Sequence, residues 1–396
     1  MPLFNYAEVR PWAKAIKNAT ITRKMPPWFA EPGYGKFSND PRLTDAEIGT
    51  LVSWANQGAL QGDLRDTPSP VTFQDGWNIQ PDMVVQMPKP VSVPATGAIN
   101  YKYVLVKANF STDLWIAASE MRPGNPKVLH HGKVWVRPPG SRWMEKAAPG
   151  ESYEYETQED VIGRNLLTEG NEIVGKFNPG LNSQRYDSEG AAVFIPKGSD
   201  LVFELHYTPG GVATTDASKL GLTVAKTRPS ARYYYAVALA TYNLRIPPRA
   251  ANEEVVSEAT VETPIKLASV QPHMHLRGKD YELRLLYPTG KSETVFKGKY
   301  DFNWQLGYTF AKPIELPKGT RIVGVAHFDN SANNPFNPDS SQDVRWGPQN
   351  WNEMNNGFLG LILDEKTPPD AVLRRSGPSA PSVVGRLLET LGLASQ

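Results

Sequence analysis

The chain has 396 residues, enough for two or three domains, and carries 42 Lys and Arg against 41 Asp and Glu. This balance excludes the basic surface typical of nucleic-acid binding, so we expect no nucleic-acid partner. Cysteine is absent, so neither a disulfide nor a thiolate metal site can form. The chain contains 35 Pro and 32 Gly, and this abundance, with many Val, Tyr, Thr and Phe, favours a mainly β protein rich in turns.

The same composition bears on compartment and membrane contact. No apolar run reaches about 18 residues, so we expect no membrane span. Residues 1–10 lack the basic start and the apolar run of a signal peptide. The absence of disulfides is typical of a reducing compartment, but a copper protein without thiols also avoids mis-binding Cu(I). Composition alone leaves the compartment open.

The N-terminal segment, residues 1–64, has helical patterns. Apolar residues at helical spacing predict a helix within 5–18, and prolines break the stretch that follows into a loop. Thr44 and Glu47 have the spacing of a capping box and predict a second helix, which would end near Gly58.

After a Pro-rich linker at 65–84, the chain has the alternating pattern of β-strands. Strands are predicted at 101–106, 128–136, 201–207, 233–240, 265–270, 281–287, 320–325 and 358–363. This spacing, with Gly/Pro turns, predicts two tandem β-sandwiches at 85–228 and 229–366. The tail, 367–396, has helical spacing over 383–393 and predicts a short docking helix or a frayed end.

Histidine is rare, and four of the six histidines fall in two tight pairs. The six are His130, His131, His206, His273, His275 and His327. Residues i and i+2 of a strand face the same side, so the pair at 273 and 275 presents adjacent imidazoles. Neutral imidazole binds zinc, copper, iron and nickel, and this pair therefore predicts half of a metal site.

The adjacent pair His130-His131 predicts a second half-site under one geometric condition. Neighbouring residues of an ideal strand face opposite ways, so both imidazoles bind one ion only where the strand bends or bulges. The alternative is one buried and one exposed histidine. His206 ends a predicted strand before a Pro-Gly turn and, taken alone, is typical of a core or rim position.

The residues alone leave the identity of the metal open. Two half-sites in different blocks favour two separate ions. Zinc sites usually include carboxylate or thiolate ligands, and no His-Glu-x-x-His motif occurs. Asp280 follows His275 closely enough in sequence to complete an iron site of two histidines and one carboxylate.

From about residue 85 to 365 the chain resembles the copper type II, ascorbate-dependent monooxygenases, bacterial members in particular. The motifs, in order, are His130-His131, His206-Tyr207, His273-Met274-His275-Leu276-Arg277-Gly278 and Asn352-Glu353-Met354. The resemblance implies two jelly-roll-like antiparallel sandwiches with one copper ion each. It also implies an enzyme that hydroxylates a C–H bond of a small organic substrate with O₂ and a one-electron donor such as ascorbate.

The resemblance also implies the ligands. These are His130, His131 and His206 for an electron-transfer copper, and His273, His275 and Met354 for the catalytic, oxygen-activating copper. Imidazoles serve both Cu(II) and Cu(I), and a thioether favours Cu(I), the state that meets O₂. A solvent-filled gap between the sandwiches is expected to separate the two ions. His327 is left over, and we expect it to hold a loop or to orient a ligand.

One position departs from the family pattern. The peptide-amidating member holds its substrate carboxylate with an arginine two residues before the His-x-His motif. Gln271 stands at that place in this chain. This difference argues against peptide amidation.

The N-terminal segment has a resemblance of its own, to the second half of a cytochrome c domain. Residues 25–28 and 43–58 carry it, with Met25 at the place of an axial heme ligand. No Cys-x-x-Cys-His motif occurs, so we expect no covalently held heme c in this chain. We expect residues 1–64 to pack against the first sandwich instead.

Three functional hypotheses follow. The first is a copper monooxygenase, acting on a small molecule and O₂ with a redox partner such as a cytochrome. The second is a copper-binding or electron-transfer protein without catalysis. The third is a mononuclear non-heme iron oxygenase that uses His273, His275 and Asp280. The family resemblance implies a periplasmic or secreted location.

Overall fold

The computed structural model describes residues 3, 5–67, 69, 76–154, 172–178 and 183–376. Three α-helices precede the strands: α1 (Tyr6–Val9), α2 (Ala13–Ile21) and α3 (Asp45–Asn56). Short 3-10 turns occur at Arg10–Trp12, Leu64–Asp66, Ser188–Gly190 and Pro369–Ala371. None of the described helices has both the length and the apolar composition needed to cross a lipid bilayer. The helix predicted at 383–393 lies outside the described residues.

The described strands fall into two blocks along the chain. The first block holds β1 (Met83–Gln86), β2 (Val91–Val93), β3 (Lys102–Val106), β4 (Leu114–Arg122), β5 (Leu129–Arg137), β6 (Ser152–Tyr153), β7 (Ile173–Phe177), β8 (Gln184–Arg185), β9 (Ala191–Ile195), β10 (Asp200–Tyr207), β11 (Thr214–Asp216) and β12 (Lys219–Val224). The second block holds β13 (Ala231–Ala240), β14 (Arg245–Ile246), β15 (Glu253–Val261), β16 (Ile265–His273), β17 (Gly278–Leu286), β18 (Ser292–Lys299), β19 (Tyr308–Leu316), β20 (Arg321–Phe328), β21 (Val344–Arg345), β22 (Asn356–Asp364) and β23 (Leu373–Ser376). Each of the eight predicted strands overlaps one of these.

Helix α3 begins where the capping box predicts it. Thr44 Oγ1 accepts the backbone N–H of Glu47 at 3.2 Å, and the Glu47 carboxylate accepts the backbone N–H of Thr44 at 2.7 Å. Gly58 lies just beyond the helix with a φ of +89°, a left-handed conformation that favours glycine. The prediction of this helix and of both its ends is confirmed.

Three sheets build the two sandwiches. A nine-stranded sheet has the order β1-β12-β4-β9-β13-β22-β16-β19, with β8 paired to β4. The five-stranded sheet β6-β3-β10-β5-β7 faces it in the first block, and the five-stranded sheet β18-β17-β20-β15-β23 faces it in the second. The described pairings are antiparallel except that of β13 with β9. The predicted fold class is confirmed: mainly β, with two tandem jelly-roll-like sandwiches and a small helical N-terminal segment.

The two sandwiches share one sheet, because β9 of the first block pairs with β13 of the second. The apolar core of the first sandwich therefore includes Tyr235 and Phe358 from the second block, beside Phe203 from the first. A separate core around Tyr281 and Trp346 fills the second sandwich. Strands from both blocks consequently meet at one junction, where the histidines lie.

The N-terminal segment packs on the second sandwich. Ala30 forms an isolated bridge with Gly298 of β18, and Phe37 forms one with Phe310 of β19. The rings of Phe37 and Phe310 lie 5.2 Å apart. The prediction that this segment packs on the first sandwich is wrong, because apolar side chains in a loop do not specify which apolar surface covers them. Met25, which stands at the place of an axial heme ligand in the cytochrome c resemblance, is 43% exposed.

Candidate metal centre

Strands β5 and β10 bring together the three histidines of the first block. His206 pairs with His131, but the next residue, Tyr207, pairs with Leu129. His130 is therefore the extra residue of a β-bulge, which is the bend that two adjacent ligands require. The ring centroid of His130 lies 5.3 Å from that of His131 and 5.8 Å from that of His206. The ring centroids of His131 and His206 lie 4.8 Å apart.

Aromatic side chains hold these imidazoles in place. His131 Nε2 lies 3.1 Å from His206 Nδ1. The Tyr101 ring stacks on His206 with centroids 4.5 Å apart and planes 12° from parallel, and its hydroxyl lies 3.4 Å from His131 Nε2. Phe302 stacks on His130 at 5.1 Å. The rings therefore have little freedom to turn away from one another.

The histidines of the second block lie at the end of β16. His273 is the last residue of that strand, and its ring centroid lies 5.2 Å from that of His275. His273 Nδ1 lies 2.7 Å from the side-chain oxygen of Gln305, and His275 Nδ1 lies 3.3 Å from the carbonyl of Asn352. Both partners are acceptors, so Nδ1 carries the proton in each ring. Each Nε2 therefore keeps a lone pair, the arrangement that a metal-binding imidazole needs.

Two of the ring nitrogens are buried without a partner. Nε2 of His130 and Nε2 of His275 make no hydrogen bond. Buried polar side-chain atoms usually have at least one hydrogen-bond partner. A bound metal ion would provide the partner that each of these two nitrogens lacks.

The five histidines of these two groups are neutral at neutral pH. Burial, reinforced by positive charge nearby, lowers the pKa of His206 and of His273 to about 3. Burial also lowers the pKa of His130, and it holds the pKa values of His131 and His275 well below their usual range. Neutral imidazole is the form that binds a metal.

The two histidine groups are in contact. The ring centroids of His131 and His273 lie 6.1 Å apart, so the five imidazoles form one cluster. The prediction of two sites separated by a solvent-filled gap is therefore wrong for this structure, because the shared sheet brings both blocks to the same junction. Two cavities that border His273 measure about 10 and 30 Å³, room for one or two water molecules.

The third ligand predicted for the second group shares one of these cavities. Met354 is 7% exposed and lines the larger cavity together with His273. Its sulfur accepts a hydrogen bond from the side-chain amide of Asn356 at 3.3 Å. The structure thus brings the thioether to the cavity that His273 borders.

The donor atoms of the cluster suit a metal ion chemically, but their arrangement does not form a complete ligand set. Within the described ranges, no three His, Asp or Glu side chains are arranged so as to hold a single ion. The donors are nevertheless neutral imidazoles and a thioether, which suit a soft or borderline transition metal. Two of the nitrogens have no other partner.

His327 lies among carboxylates. Its Nδ1 lies 2.6 Å from Asp280 Oδ1, and its Nε2 lies 3.5 Å from Glu254. These contacts join β20 to its neighbours β17 and β15 and fit the structural role predicted for His327. The carboxylate that the iron hypothesis assigns to a metal, Asp280, is thus paired with His327.

Glu353 ties the methionine segment to the second pair of histidines. It is fully buried, and its carboxylate accepts the backbone N–H of His275 at 2.7 Å and that of Arg277 at 2.6 Å. Arg277, also buried, donates to the carbonyl of Trp351 at 2.9 Å. Met354 follows directly in sequence, so one clamp positions both the imidazole of His275 and the thioether.

We expect Glu353→Leu to lower the free energy of unfolding by about 2–5 kcal/mol, because it leaves two buried backbone N–H groups without acceptors. Glu353→Gln, which keeps one acceptor, should fall between Leu and the wild type. Urea unfolding of the metal-free protein measures both. Glu151→Gln is the control, because it removes an exposed ion pair with Lys89 and should cost less than about 1 kcal/mol. Equal stability of Glu353→Leu and the control would contradict the claim that the Glu353 carboxylate holds the backbone of His275 and Arg277 in place.

Sequence reasoning missed Tyr101, Gln305 and Glu353. Glu353 had a local signal, since it lies inside the last family motif. Tyr101 and Gln305 had none, because their contacts with His131 and His273 join residues 30 and 32 positions apart in sequence.

Comparison with known proteins does not identify the chain. No family model and no curated protein sequence matches it. Among solved structures, it is similar to the major capsid protein P2 of bacteriophage PM2, with 11% identity, a TM-score of 0.29, and coverage of 71% of this chain and 98% of that one. It is also similar to PNGase F, a glycosylasparaginase from Flavobacterium meningosepticum, with 10% identity, a TM-score of 0.31, and coverage of 74% and 99%. At such identities and TM-scores these likenesses carry no argument about function.

Proposed function

We propose that this protein is a copper-dependent monooxygenase that hydroxylates a C–H bond of a small organic substrate. The observation that carries the proposal is the cluster of five neutral imidazoles, four of them buried, at the junction of the sandwiches, with a thioether at a cavity that His273 borders. The resemblance of the His-His, His-Tyr, His-x-His and methionine motifs to the copper type II monooxygenases supports the same conclusion.

The chain's own residues would divide the work. The first copper would be held by His130, His131 and His206, and the second by His273, His275 and Met354. Bound copper would supply one-electron redox chemistry with O₂, so that one oxygen atom enters the C–H bond and the other leaves as water, with two electrons from a donor such as ascorbate and two protons.

The remaining residues keep these donors ready. Gln305 and the carbonyl of Asn352 hold His273 and His275 in the tautomer that offers Nε2. Tyr101 fixes the ring of His206. Burial keeps the imidazoles unprotonated and excludes bulk water from the cluster.

A second candidate, a copper-binding or electron-transfer protein without catalysis, is favoured by a specific observation. The cavities that border His273 are of water size, and the two histidine groups touch. Electron transfer between two metal ions requires that their ligand groups lie close together, and it does not require a cavity that holds an organic substrate. The iron oxygenase hypothesis loses support, because Asp280 pairs with His327.

Metal loading followed by oxygen consumption tests the proposal. Protein loaded with Cu(II) and freed of excess metal is expected to retain about two copper ions per chain and to consume O₂ with ascorbate only when a hydroxylatable substrate is added. Elemental analysis and an oxygen electrode measure the two results. Copper retention without substrate-dependent uptake across a broad substrate panel would favour the electron-transfer candidate. Retention of iron in place of copper would contradict both.

A further inference from the structure

Lys176 is a buried amine beside the histidine cluster. It lies on β7 of the first sandwich and is 8% exposed. Lysines usually extend their amino group to solvent, so an amine this deeply buried needs partners inside the protein. Its Nζ donates to the hydroxyl of Tyr235 at 2.7 Å and to the side-chain oxygen of Gln271 at 2.7 Å.

These two bonds leave Lys176 incompletely satisfied. An ammonium group has three donors, and among the described residues two oxygen acceptors serve them. The ring of Tyr235, whose centroid lies 4.1 Å from Nζ, adds a weaker cation–π contact. No carboxylate within the described ranges pairs with it. Glu204 accepts hydrogen bonds from the neighbouring Lys133 at 3.0 Å and from the indole of Trp135 at 3.0 Å.

The described residues that line the cavity beside Lys176 include no carboxylate. The histidines that share its cavity, His131 and His273, are neutral, and Lys133 adds a second positive charge. Burial, followed by the charge of Lys133, lowers the pKa of Lys176 to about 7. A buried charge without a partner is costly, and a bound anion would remove that cost.

The amine is also held rigidly. The hydroxyl of Tyr235 donates to Gln271 at 2.6 Å, and the amide nitrogen of Gln271 donates to the backbone carbonyl of Gln305 at 2.8 Å. Gln305 in turn contacts His273, so a continuous hydrogen-bond network joins Lys176 to the cluster. The unused donor therefore has a fixed place at the wall of the 10 Å³ cavity.

We propose that Lys176 binds a small monoanion, either chloride or a carboxylate no larger than formate. The cavity is of water size, which favours a chloride- or formate-sized group over a large anion. Two amines, those of Lys133 and Lys176, border this cavity, and their positive charge attracts an anion. The inference does not depend on copper binding, because the metal-free protein offers the same donor.

Anion titration of the metal-free protein tests the proposal. The probes are sodium chloride and formate, with ionic strength held constant by sodium gluconate, which is too large for the cavity. We expect bound chloride to broaden the ³⁵Cl resonance, and formate to reverse this broadening saturably by displacing chloride. Both anions should raise Tm saturably, whereas gluconate should change neither the resonance nor Tm. Chloride binding alone identifies an inorganic ion, and competition by formate identifies a carboxylate site.

Three variants make the test specific. Lys176→Gln should abolish the saturable response, and Lys176→Arg, which keeps the charge, should retain it. Lys291→Gln is the matched control, because Lys291 is exposed and paired with Glu293. If Lys176→Gln fails to fold by circular dichroism, the wild type and the Arg variant decide. Absence of saturable binding in the wild type, an unaltered response in a folded Lys176→Gln, or loss of the response in a folded Lys176→Arg overturns the proposal.

Discussion

Replacing His131 with alanine is expected to weaken copper binding more than any other single histidine replacement. His131 touches both groups: its Nε2 lies 3.1 Å from His206 Nδ1, and its ring lies 6.1 Å from that of His273. Loss of a residue that merely supports a ligand costs about 10–100-fold in metal affinity, and loss of a ligand should exceed that range. Competition titration with a chelator of known copper affinity measures the change.

Alanine variants of the other histidines distinguish metal ligands from histidines that do not bind metal. His206→Ala should lower affinity for one copper only. His327→Ala should lower it for neither, because His327 pairs with Asp280 and Glu254. A copper content of His131→Ala equal to that of His327→Ala would contradict the assignment of the cluster as a metal centre. Native circular dichroism of each metal-free variant guards against loss of the fold.

Local patterns were sufficient where the physical cause was local. The capping box of Thr44 and Glu47 predicted helix α3, because the side-chain and backbone bonds that form it lie within one turn. The adjacent histidines predicted a bulge at residue 130, because side chains of a regular strand alternate between faces.

The arrangement of the two histidine groups was not accessible in the same way. It depends on the pairing of β9 with β13, a parallel contact between blocks that no turn or periodicity specifies. Periodicity shows which side of a strand is buried, but not which other strand lies beside it. The sequence therefore predicted two half-sites and could not predict that they touch.

The polar environment of the cluster was equally hidden. Lys176 meets Gln271 across 95 residues, and Glu353 meets His275 across 78. Each of these residues has a polar side chain that, in the sequence alone, is typical of an exposed position. Lys176 is buried where the first block meets the second, whereas Glu353 is buried among residues of the second block, and both positions depend on the assembled fold.

Acid is expected to unfold the metal-free protein in a window just below pH 6.5. The pKa values of His206 and His273 are lowered to about 3 in the folded state, and burial holds those of His131 and His275 well below the ordinary value of 6.5. Below pH 6.5 the unfolded chain therefore binds protons that the folded chain does not, so stability falls as pH falls.

The size of this effect decides the outcome. Each such histidine costs about 1.4 kcal/mol of stability per pH unit below its unfolded pKa. Glu353 acts in the opposite direction, because burial raises its pKa to about 8 and the folded chain keeps a proton there that the unfolded chain loses. The net effect of the four histidines and Glu353 is a loss of about 4 kcal/mol by pH 5.5, a large share of the about 5–15 kcal/mol that holds a typical domain folded. We expect urea midpoints to drop steeply between pH 6.5 and 5.

Two comparisons attribute this acid sensitivity to the cluster. His273→Gln should flatten the dependence of unfolding free energy on pH by about 1.4 kcal/mol per unit, because one proton fewer is taken up on unfolding. Bound copper should move the whole transition to lower pH, because the metal competes with protons for the same nitrogens and binds only the folded chain. Urea unfolding from pH 7.5 to 5 measures each. A metal-free wild type with the same stability at pH 7 and pH 5 would show that these imidazoles are not buried as neutral groups, and that they are therefore not poised to receive a metal.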